Sequence, residues 1–162
     1  MTRRRILNLL SGLGLAGASA AARAASTPTR ADRLELTEAE WKQRLSPQAW
    51  QVLRQEGTER PHSSPLNAEK RAGVYHCAGC ELPLFASGAK YDSRTGWPSF
   101  FDPLPGALGT RTDFKLLLPR TEYHCARCGG HQGHVFNDGP RPTGKRYCNN
   151  GVALRFVAEA SS

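Results

Sequence analysis

The sequence has only one weak candidate for a segment that could cross a lipid bilayer. A spanning helix needs about 20 mostly apolar residues, and the one long uncharged run, residues 6–22, is diluted by Gly12, Gly14 and Gly17. Sixteen Gly and eleven Pro argue against a bundle of long helices. With 39% hydrophobic and 22% charged residues among 162, the composition excludes disordered, collagen-like and membrane classes and fits one globular domain.

Acidic residues are absent from the first 25 positions, which contain Arg3, Arg4, Arg5 and Arg23. These arginines account for half of the formal net charge of +8. A strongly basic chain suggests an anionic partner such as nucleic acid, but the remaining half of the charge is ordinary for one domain. The charge distribution therefore argues against a nucleic-acid partner.

The amino terminus has the three-part organisation of an export signal. A basic start is followed by the uncharged run and by Ala22-Arg23-Ala24-Ala25, which contains an Ala-x-Ala cleavage site. The segment Arg3-Arg4-Arg5-Ile6-Leu7 also resembles the twin-arginine signal. We therefore expect export to the bacterial periplasm and no stable membrane insertion once the signal is removed. An uncleaved N-terminal anchor is the alternative.

These features divide the chain into three predicted parts. Residues 1–25 are expected to be a twin-arginine-type signal peptide, residues 26–34 a flexible linker and residues 35–158 the functional domain.

Two short helices are predicted at the start of the domain. Thr37 and Glu40 form a capping box at the beginning of the first. Ser46 caps the second helix, with Pro47 at its first position, and Gly57 ends it. Because both helices have few apolar residues, we expect them to brace a larger structure.

Short runs rich in aromatic and branched residues follow from Arg71 onwards, separated by Gly, Pro and Asp. Their lengths and spacing predict strands of antiparallel sheets rather than a parallel sheet with crossover helices. The runs are Val74–His76, Phe114–Leu118, Thr121–His124 and Val152–Phe156. The predicted fold is mainly β with an α-helical N-terminal extension.

Four of the five cysteines form two CxxC hooks, and the segments around them match at every position but one. Two such hooks supply the four thiolates of a tetrahedral structural Zn²⁺, one ion per chain, with no coordination position left open for catalysis. Gly79 and Gly129 are expected to provide the loose backbone that the turns need. The hooks are Cys77-x-x-Cys80 and Cys125-x-x-Cys128.

Two structural disulfides are the alternative, since the periplasm is oxidising. A CxxC disulfide, however, closes a tiny loop and gains little stability from chain entropy. The twin-arginine route carries folded proteins, which favours metal loading before export. His76 and His124, each next to a hook, are interpreted as strand residues rather than ligands.

Cys148 is the fifth cysteine. If its segment is a strand, the side chains of Arg146, Cys148 and Asn150 share one face. The neighbouring guanidinium is expected to lower the pKa of the thiol and favour a nucleophilic thiolate. Asn150 is expected to donate a hydrogen bond to an oxygen held beside the sulfur. An inert buried cysteine is the alternative.

Two further clusters favour a catalytic interpretation of Cys148, although either could be core packing. His131 and His134 are candidate proton donors, and Asp138 is a candidate to orient one of them. Trp97 and Phe100, in Gly96-Trp97-Pro98-Ser99-Phe100-Phe101, are predicted to form an aromatic wall for an apolar substrate group.

Taken together, these segments resemble methionine-R-sulfoxide reductase B over residues 36–156, nearly the whole predicted domain. The matching blocks are Gly57–Pro61, Gly73–Cys80, Thr95–Phe100, Gly133–Pro140 and Arg146–Cys148. The resemblance implies two antiparallel sheets, with a structural zinc in many members. It also implies reduction of the R epimer of methionine sulfoxide, chiefly within oxidised proteins, which would be the partners of this chain.

The resemblance further implies roles for individual residues. The cysteine matching Cys148 attacks the sulfoxide sulfur and becomes a sulfenic acid. The histidines matching His131 and His134 protonate or hold the sulfoxide oxygen, and the Trp matching Trp97 packs on the substrate methyl group. Arg146 and Asn150 also match active-site positions. Asp138 matches a supporting one.

One departure from the family concerns the step that regenerates the enzyme. Many members have a resolving cysteine at the position of Thr95, and here the other four cysteines are assigned to zinc. We therefore expect an external thiol, thioredoxin-like or other, to reduce the sulfenic acid on Cys148 directly. Asn149 and Gly151 also depart from the family pattern, and we expect them to affect packing rather than activity.

Two other function classes stay open at this point. A zinc-ribbon binding module would not need Cys148 and would bind nucleic acid through basic strands with interleaved aromatic residues. A thiol–disulfide oxidoreductase would use a metal-free CxxC as its redox pair.

Overall fold

A computed structural model of the chain describes residues 30–160. The predicted signal peptide, residues 1–25, lies outside this range, as do residues 26–29 of the predicted linker. Within residues 30–160, no helix has the length and apolar character needed to cross a membrane.

The described part of the predicted linker lies against the domain. Arg30 forms an ion pair with Asp32 at 2.7 Å and donates a hydrogen bond to the Gly106 carbonyl at 3.0 Å. Asp32 also pairs with Arg127 at 2.8 Å, and the Leu34 amide donates to the Arg127 carbonyl at 2.9 Å. Residues 30–34 are therefore attached beside the second CxxC hook.

Helix α1 spans Glu38–Arg44 and begins as the sequence predicts. The Glu40 amide donates to the Thr37 hydroxyl at 3.3 Å, and the Thr37 amide donates to the Glu40 carboxylate at 2.7 Å. This reciprocal pair is the capping box, which satisfies two amides at the free end of the helix. The buried residue of α1 is Trp41.

Helix α2 spans Pro47–Gln55 and is capped by Ser46, whose hydroxyl accepts from the Ala49 amide at 3.2 Å. Its end differs from the prediction, because Glu56, with φ of 53°, takes the left-handed conformation ahead of Gly57. The residues that α2 buries are Ala49, Val52 and Leu53.

Within residues 30–160, nine strands follow the helices: β1 Gly73–Cys77, β2 Pro83–Ala86, β3 Lys90–Tyr91, β4 Ser99–Phe100, β5 Leu108–Asp113, β6 Arg120–Cys125, β7 His131–Phe136, β8 Arg146–Asn149 and β9 Leu154–Ala158. They form a three-stranded sheet of order β2-β1-β9 and a six-stranded sheet of order β3-β4-β8-β7-β6-β5. Every strand pair is antiparallel. The mainly β prediction with two antiparallel sheets and short N-terminal helices is confirmed.

Two predicted strands are placed differently. Asp113 pairs with Arg120 across the β5–β6 hairpin, so Phe114–Leu118 belongs to the connection of that hairpin and is not a strand. The prediction for Val152–Phe156 is partly wrong, because Gly151–Ala153 forms a 3-10 turn and β9 begins only at Leu154.

An aromatic core joins the two sheets. Phe85 of β2 stacks on Phe100 of β4 with ring centroids 4.2 Å apart, and Tyr75 of β1 meets Phe100 edge-on at 4.9 Å. Tyr123 of β6 contacts Tyr147 of β8 edge-on at 5.3 Å. Such offset and edge-on pairs add to the free energy gained from burying the rings.

The six-stranded sheet has one face in this core and one face away from it. Successive residues of a strand point to opposite faces, and residues directly opposite on antiparallel neighbours share a face. Tyr147 therefore points into the core, while Cys148 points to the other face beside its register partners Ser99 and His134. The outer face of this sheet is where the predicted functional residues meet.

Gly133 allows β7 and β8 to approach at this point. A Cβ atom at position 133 would lie 1.9 Å from the Cys148 carbonyl oxygen, a distance that the backbone cannot accept without moving. We expect Gly133→Ala to destabilise the protein by about 1–3 kcal/mol through overpacking. Chemical denaturation measures this change.

Gly88→Ala is the matched control, because a Cβ atom at Gly88 has nothing within 4 Å. We expect this control to be neutral or slightly stabilising. Equal stability of the two variants would contradict the assigned role of Gly133.

Candidate functional site

The two CxxC hooks face each other at one end of the sheets. Cys77 is the last residue of β1 and Cys125 the last of β6, and the sulfur atoms of all four hook cysteines lie within 4.8 Å of one another. The Cys77 and Cys128 sulfurs are 3.7 Å apart, and the Cys80 and Cys125 sulfurs 3.4 Å. All four side chains are buried.

These distances fit a metal ion and not disulfides. A disulfide bond is about 2.05 Å long, and the five cysteines of the chain are free. A tetrahedral ion with metal–sulfur bonds of about 2.3 Å places its ligands about 3.8 Å apart. Four buried thiol groups at nearly this spacing are positioned to hold one metal ion, and the disulfide alternative is wrong for this structure.

The turn of each hook is built the same way. The amide of the residue after the second cysteine donates to the first cysteine's carbonyl, from Glu81 to Cys77 and from Gly129 to Cys125, both at 2.9 Å. Both donors have left-handed backbone, with φ of 64° and 68°. The expectation for Gly129 is confirmed, whereas the left-handed residue of the first hook is Glu81 and not Gly79.

The helices cover the cysteine cluster, as expected of bracing elements. A Cβ atom at Gly79 would lie 3.4 Å from the Trp41 ring and 3.6 Å from Leu53, so Gly79 is where both helices contact the first hook. Arg54 donates to the Cys128 carbonyl at 2.9 Å.

Cys148 lines a cavity of about 140 Å³ on the outer face of the six-stranded sheet. The predicted residues Trp97, His134 and Asn150 line the same cavity. Its remaining lining residues were not assigned to the site from the sequence, although Asn149 was noted there as a departure from the family pattern: Thr58, Arg120, Gly133, Phe136 and Asn149. Phe136 could have been found, because it lies two positions after His134 on one strand and so shares its face.

Phe100 does not belong to this cavity, and its assignment to an aromatic wall is wrong. It is fully buried between Phe85 and Tyr75. The reason is the pleat, because Phe100 lies opposite Tyr147, whereas its neighbour Ser99 lies opposite Cys148.

The pKa of Cys148 lies above the ordinary thiol value of 9.0, so the expectation of a lowered pKa is wrong for the free site. Burial raises this pKa, and the charge of Arg146 with hydrogen bonds from Thr95 and Arg146 offsets only part of the shift. Arg146 is itself held by Asp138 through two hydrogen bonds of 2.9 Å. Cys148 is therefore a neutral thiol at neutral pH.

The histidines are oriented by two carboxylates other than Asp138. Nδ1 of His131 bonds to Glu122 at 2.8 Å, and Nε2 of His134 bonds to Asp113 at 2.7 Å. Asp138 instead binds Arg146, so the expectation that it orients a histidine is wrong. Spacing along the chain could not reveal Glu122 and Asp113, which approach from β6 and β5.

Both carboxylates are ionised at neutral pH. Burial raises the pKa of Glu122, but hydrogen bonds from His124 and His131 and the nearby charges outweigh it and bring the pKa to about 2. The Lys115 amide and the His134 ring hold the pKa of Asp113 well below its ordinary range. Each carboxylate therefore accepts an N–H from its histidine.

The hydrogen bond that Asp113 accepts from Nε2 fixes the tautomer of His134. Burial lowers the pKa of His134, and the hydrogen bond to Asp113 opposes this only in part. The ring is thus neutral at neutral pH, with its proton on Nε2 toward Asp113 and a free lone pair on Nδ1. In His131, Nε2 is buried and has no hydrogen-bond partner within residues 30–160.

Glu59 fixes the other wall of the cavity, and the sequence interpretation did not single it out. Its amide donates to the Asn150 side-chain oxygen at 2.9 Å, and its carbonyl accepts from the Trp97 ring nitrogen at 3.1 Å. Its carboxylate accepts the amides of Gly151 and Val152 at 2.5 and 3.0 Å. One buried residue thus positions Trp97 and Asn150 together.

Comparison with known proteins gives a consistent result. A family model described as the SelR domain matches residues 45–158. A protein of Methanosarcina barkeri, "Peptide methionine sulfoxide reductase MsrB", is 50% identical over 127 residues, which cover 78% of this chain and 89% of that protein. A protein of the same name from Pseudomonas putida is 50% identical over 125 residues, covering 76% and 94%. "Peptide methionine sulfoxide reductase B1, chloroplastic" of Arabidopsis thaliana is 49% identical over 124 residues, covering 76% and 61%.

The raised pKa of Cys148 predicts how this thiol reacts with iodoacetamide in the substrate-free protein. Because the thiolate is the reactive form, the labelling rate of the Cys148 peptide should still rise as the pH passes 9.0, the ordinary thiol pKa. Arg146→Ala removes the charge that lowers this pKa and should slow labelling at a fixed pH. Peptide mass spectrometry measures both rates.

Arg155→Ala is the control, because Arg155 lies on β9 of the other sheet and pairs with Glu81 of the first hook, so its loss should not change the labelling rate. A labelling rate that is already constant above neutral pH would contradict the neutral thiol.

Proposed function

Because this chain belongs to the SelR family of MsrB-type peptide methionine sulfoxide reductases, we propose that it reduces the R epimer of methionine sulfoxide in oxidised proteins to methionine. The observation that carries the proposal is the position of Cys148, the one cysteine outside the metal-binding quartet. Its side chain lines the cavity together with Trp97, His134 and Asn150.

Cys148 performs the oxygen transfer. Its sulfur attacks the sulfoxide sulfur, the sulfur–oxygen bond of the substrate breaks, and a sulfur–oxygen bond forms on Cys148. The products are methionine and a cysteine sulfenic acid. The cysteine sulfur loses the two electrons that the substrate sulfur gains, and the thiol proton ends on the transferred oxygen.

His134 moves that proton. It lies directly opposite Cys148 on the neighbouring strand and the same face of the sheet. Nδ1 of the neutral ring accepts the proton of the thiol and returns it to the sulfoxide oxygen, which makes the substrate a better electrophile. A neutral thiol beside a neutral imidazole suits this step, because the thiol already carries the proton that the sulfoxide oxygen must receive.

The other residues of the cavity hold the substrate. Trp97, fixed through its ring nitrogen by Glu59, packs with Phe136 against the methyl end of the side chain. The Asn150 amide donates one hydrogen to the Gln132 carbonyl at 2.9 Å, which leaves its second hydrogen for the sulfoxide oxygen. Arg146 and Asp138 support the cysteine from the side, and His131 supports His134.

Regeneration of Cys148 requires an external thiol. Thr95 occupies the place of a resolving cysteine, and the four hook cysteines are held in their own buried cluster. Two equivalents of a thiol, thioredoxin-like or other, reduce the sulfenic acid to the free thiol, with formation of a disulfide and water.

The export prediction supports a periplasmic location for this activity. The twin-arginine-type signal at residues 1–25 would deliver the folded, metal-loaded protein. The role that follows is repair of exported proteins whose methionines have been oxidised.

An assay on separated R and S epimers of methionine sulfoxide peptides tests the reaction. We expect turnover of the R epimer only, and at least about a 10³-fold loss of kcat in Cys148→Ser, because a serine hydroxyl is a far weaker nucleophile at this pH. Arg155→Ala should keep full activity. Equal turnover of both epimers, or an active Cys148→Ser protein, would falsify the assignment.

A single turnover without reductant tests the regeneration step in the same preparation. A trapping reagent for sulfenic acids should label Cys148, and peptide mass spectrometry should find no disulfide from Cys148 to a hook cysteine. A disulfide between Cys148 and Cys77, Cys80, Cys125 or Cys128 would refute the external-thiol route.

The four hook cysteines would hold a structural Zn²⁺, which supplies no chemistry to the reaction because all four positions are filled by thiolates. We expect one zinc per chain by elemental analysis of the purified protein. Cys80→Ser should lose zinc and unfold at a lower temperature, whereas Cys148→Ser should retain it. Metal-free protein with a redox-active CxxC would favour a thiol–disulfide oxidoreductase instead.

A further inference from the structure

The β5–β6 connection exposes a cluster of large apolar side chains. Phe114, Leu116, Leu117 and Leu118 are 77%, 58%, 104% and 77% exposed. They are four of the five exposed large hydrophobic side chains within residues 30–160. We call residues 114–118 the apolar loop. Adjacent exposed apolar residues on a protein surface indicate an interaction site.

The apolar loop is continuous with the wall of the cavity. Asp113, directly before it, binds Nε2 of His134 at 2.7 Å. Arg120, two residues after it, lines the cavity and pairs with Asp113 at 2.7 Å. A chain whose methionine sulfoxide enters the cavity therefore has its neighbouring residues near the loop.

Cations around the apolar loop are neutralised by carboxylates of this chain. Lys115 pairs with Glu56 at 2.5 Å, Arg111 pairs with Glu56 and with Glu122, and Arg120 pairs with Asp113. An anionic lipid surface is attracted by unpaired basic residues. Because the charges around this loop are already paired within the chain, the surface suits an occupant that is apolar and uncharged.

The proposed substrate has this chemistry. Methionine is most often buried among other apolar residues, so a methionine oxidised in an unfolded segment exposes apolar neighbours. A second copy of this chain would offer Met1 as its one methionine, and Met1 lies in the predicted signal peptide rather than in the domain.

We propose that the apolar loop binds apolar residues flanking methionine sulfoxide in unfolded polypeptides, and so directs the enzyme to segments that belong in protein cores. The proposal rests on the reductase activity proposed above. Because the loop contacts neither the thiol nor the sulfoxide, its binding energy acts on the substrate and the transition state equally, and removing it raises KM and leaves kcat unchanged.

The test replaces Leu116, Leu117 and Leu118 together with Ser in the full chain. Val157→Thr is the matched control, because Val157 is the exposed apolar residue of β9 in the other sheet. Each protein is assayed on three R-sulfoxides: a peptide with Leu and Phe flanking the sulfoxide, the same peptide with Ser and Gly flanking it, and N-acetyl methionine sulfoxide.

We expect the triple variant to lose at least about tenfold in kcat/KM on the apolar peptide, through KM, since desolvating even one leucine corresponds to such a factor. Its activity on the polar peptide and on the small sulfoxide should be unchanged, which also shows that it is folded. Val157→Thr should match the parent on all three substrates.

Four results would overturn the proposal. If the parent turns over the apolar and polar peptides equally well, or the triple variant loses activity on all three substrates alike, the loop does not select flanking residues. If phosphatidylglycerol vesicles bind the parent and not the triple variant while peptide kinetics stay unchanged, the loop is a lipid contact. If the parent reduces no R-sulfoxide at all, the reductase assignment itself fails.

Discussion

The register between β7 and β8 is the constraint on which the site depends. It places Cys148 opposite His134 on the outer face of the sheet, and Gly133 permits it, since a side chain there would meet the Cys148 carbonyl. A shift by one residue would turn the thiol into the aromatic core, because the side-chain period of a strand is two. The juxtaposition of Cys148 and His134 is therefore a consequence of strand pairing, and neither residue's position can be explained separately from the other.

Around this pair, the ionised groups are each engaged by a neighbouring side chain. Arg146 is engaged by Asp138, and Glu122 and Asp113 are engaged by the two histidines. Burial outweighs the influence of these charges, so the thiol and the His134 ring stay neutral in the cavity. In the proposed reaction, this arrangement would keep one transferable proton next to the oxygen of an uncharged substrate, whereas an ionised thiolate would need a proton from another group.

Whether a feature could be predicted from the sequence depends on how far apart along the chain its interacting residues lie. The capping box at Thr37 and the CxxC hooks depend on residues within a few positions of one another, and both were predicted correctly. Glu122, Asp113 and Glu59 contact the site from distant segments, so no local spacing indicated them. Phe100 and Phe114–Leu118 were misplaced for a related reason, because composition marks a residue as apolar but only the pleat and the hairpin decide which way it faces.

Gln132 physically links the metal-binding cluster to the catalytic strand. Its side-chain amide donates to the Cys77 sulfur at 3.4 Å, and its side-chain oxygen accepts from Asn149 at 3.2 Å. Its carbonyl accepts from both the amide and the side chain of Asn150, each at 2.9 Å. A buried side chain bonded on one side to a metal ligand and on the other to residues next to Cys148 has little freedom to move. The hook cysteines and the end of β8 are therefore joined through one buried side chain, so the position of β8 depends on the geometry of the cysteine cluster.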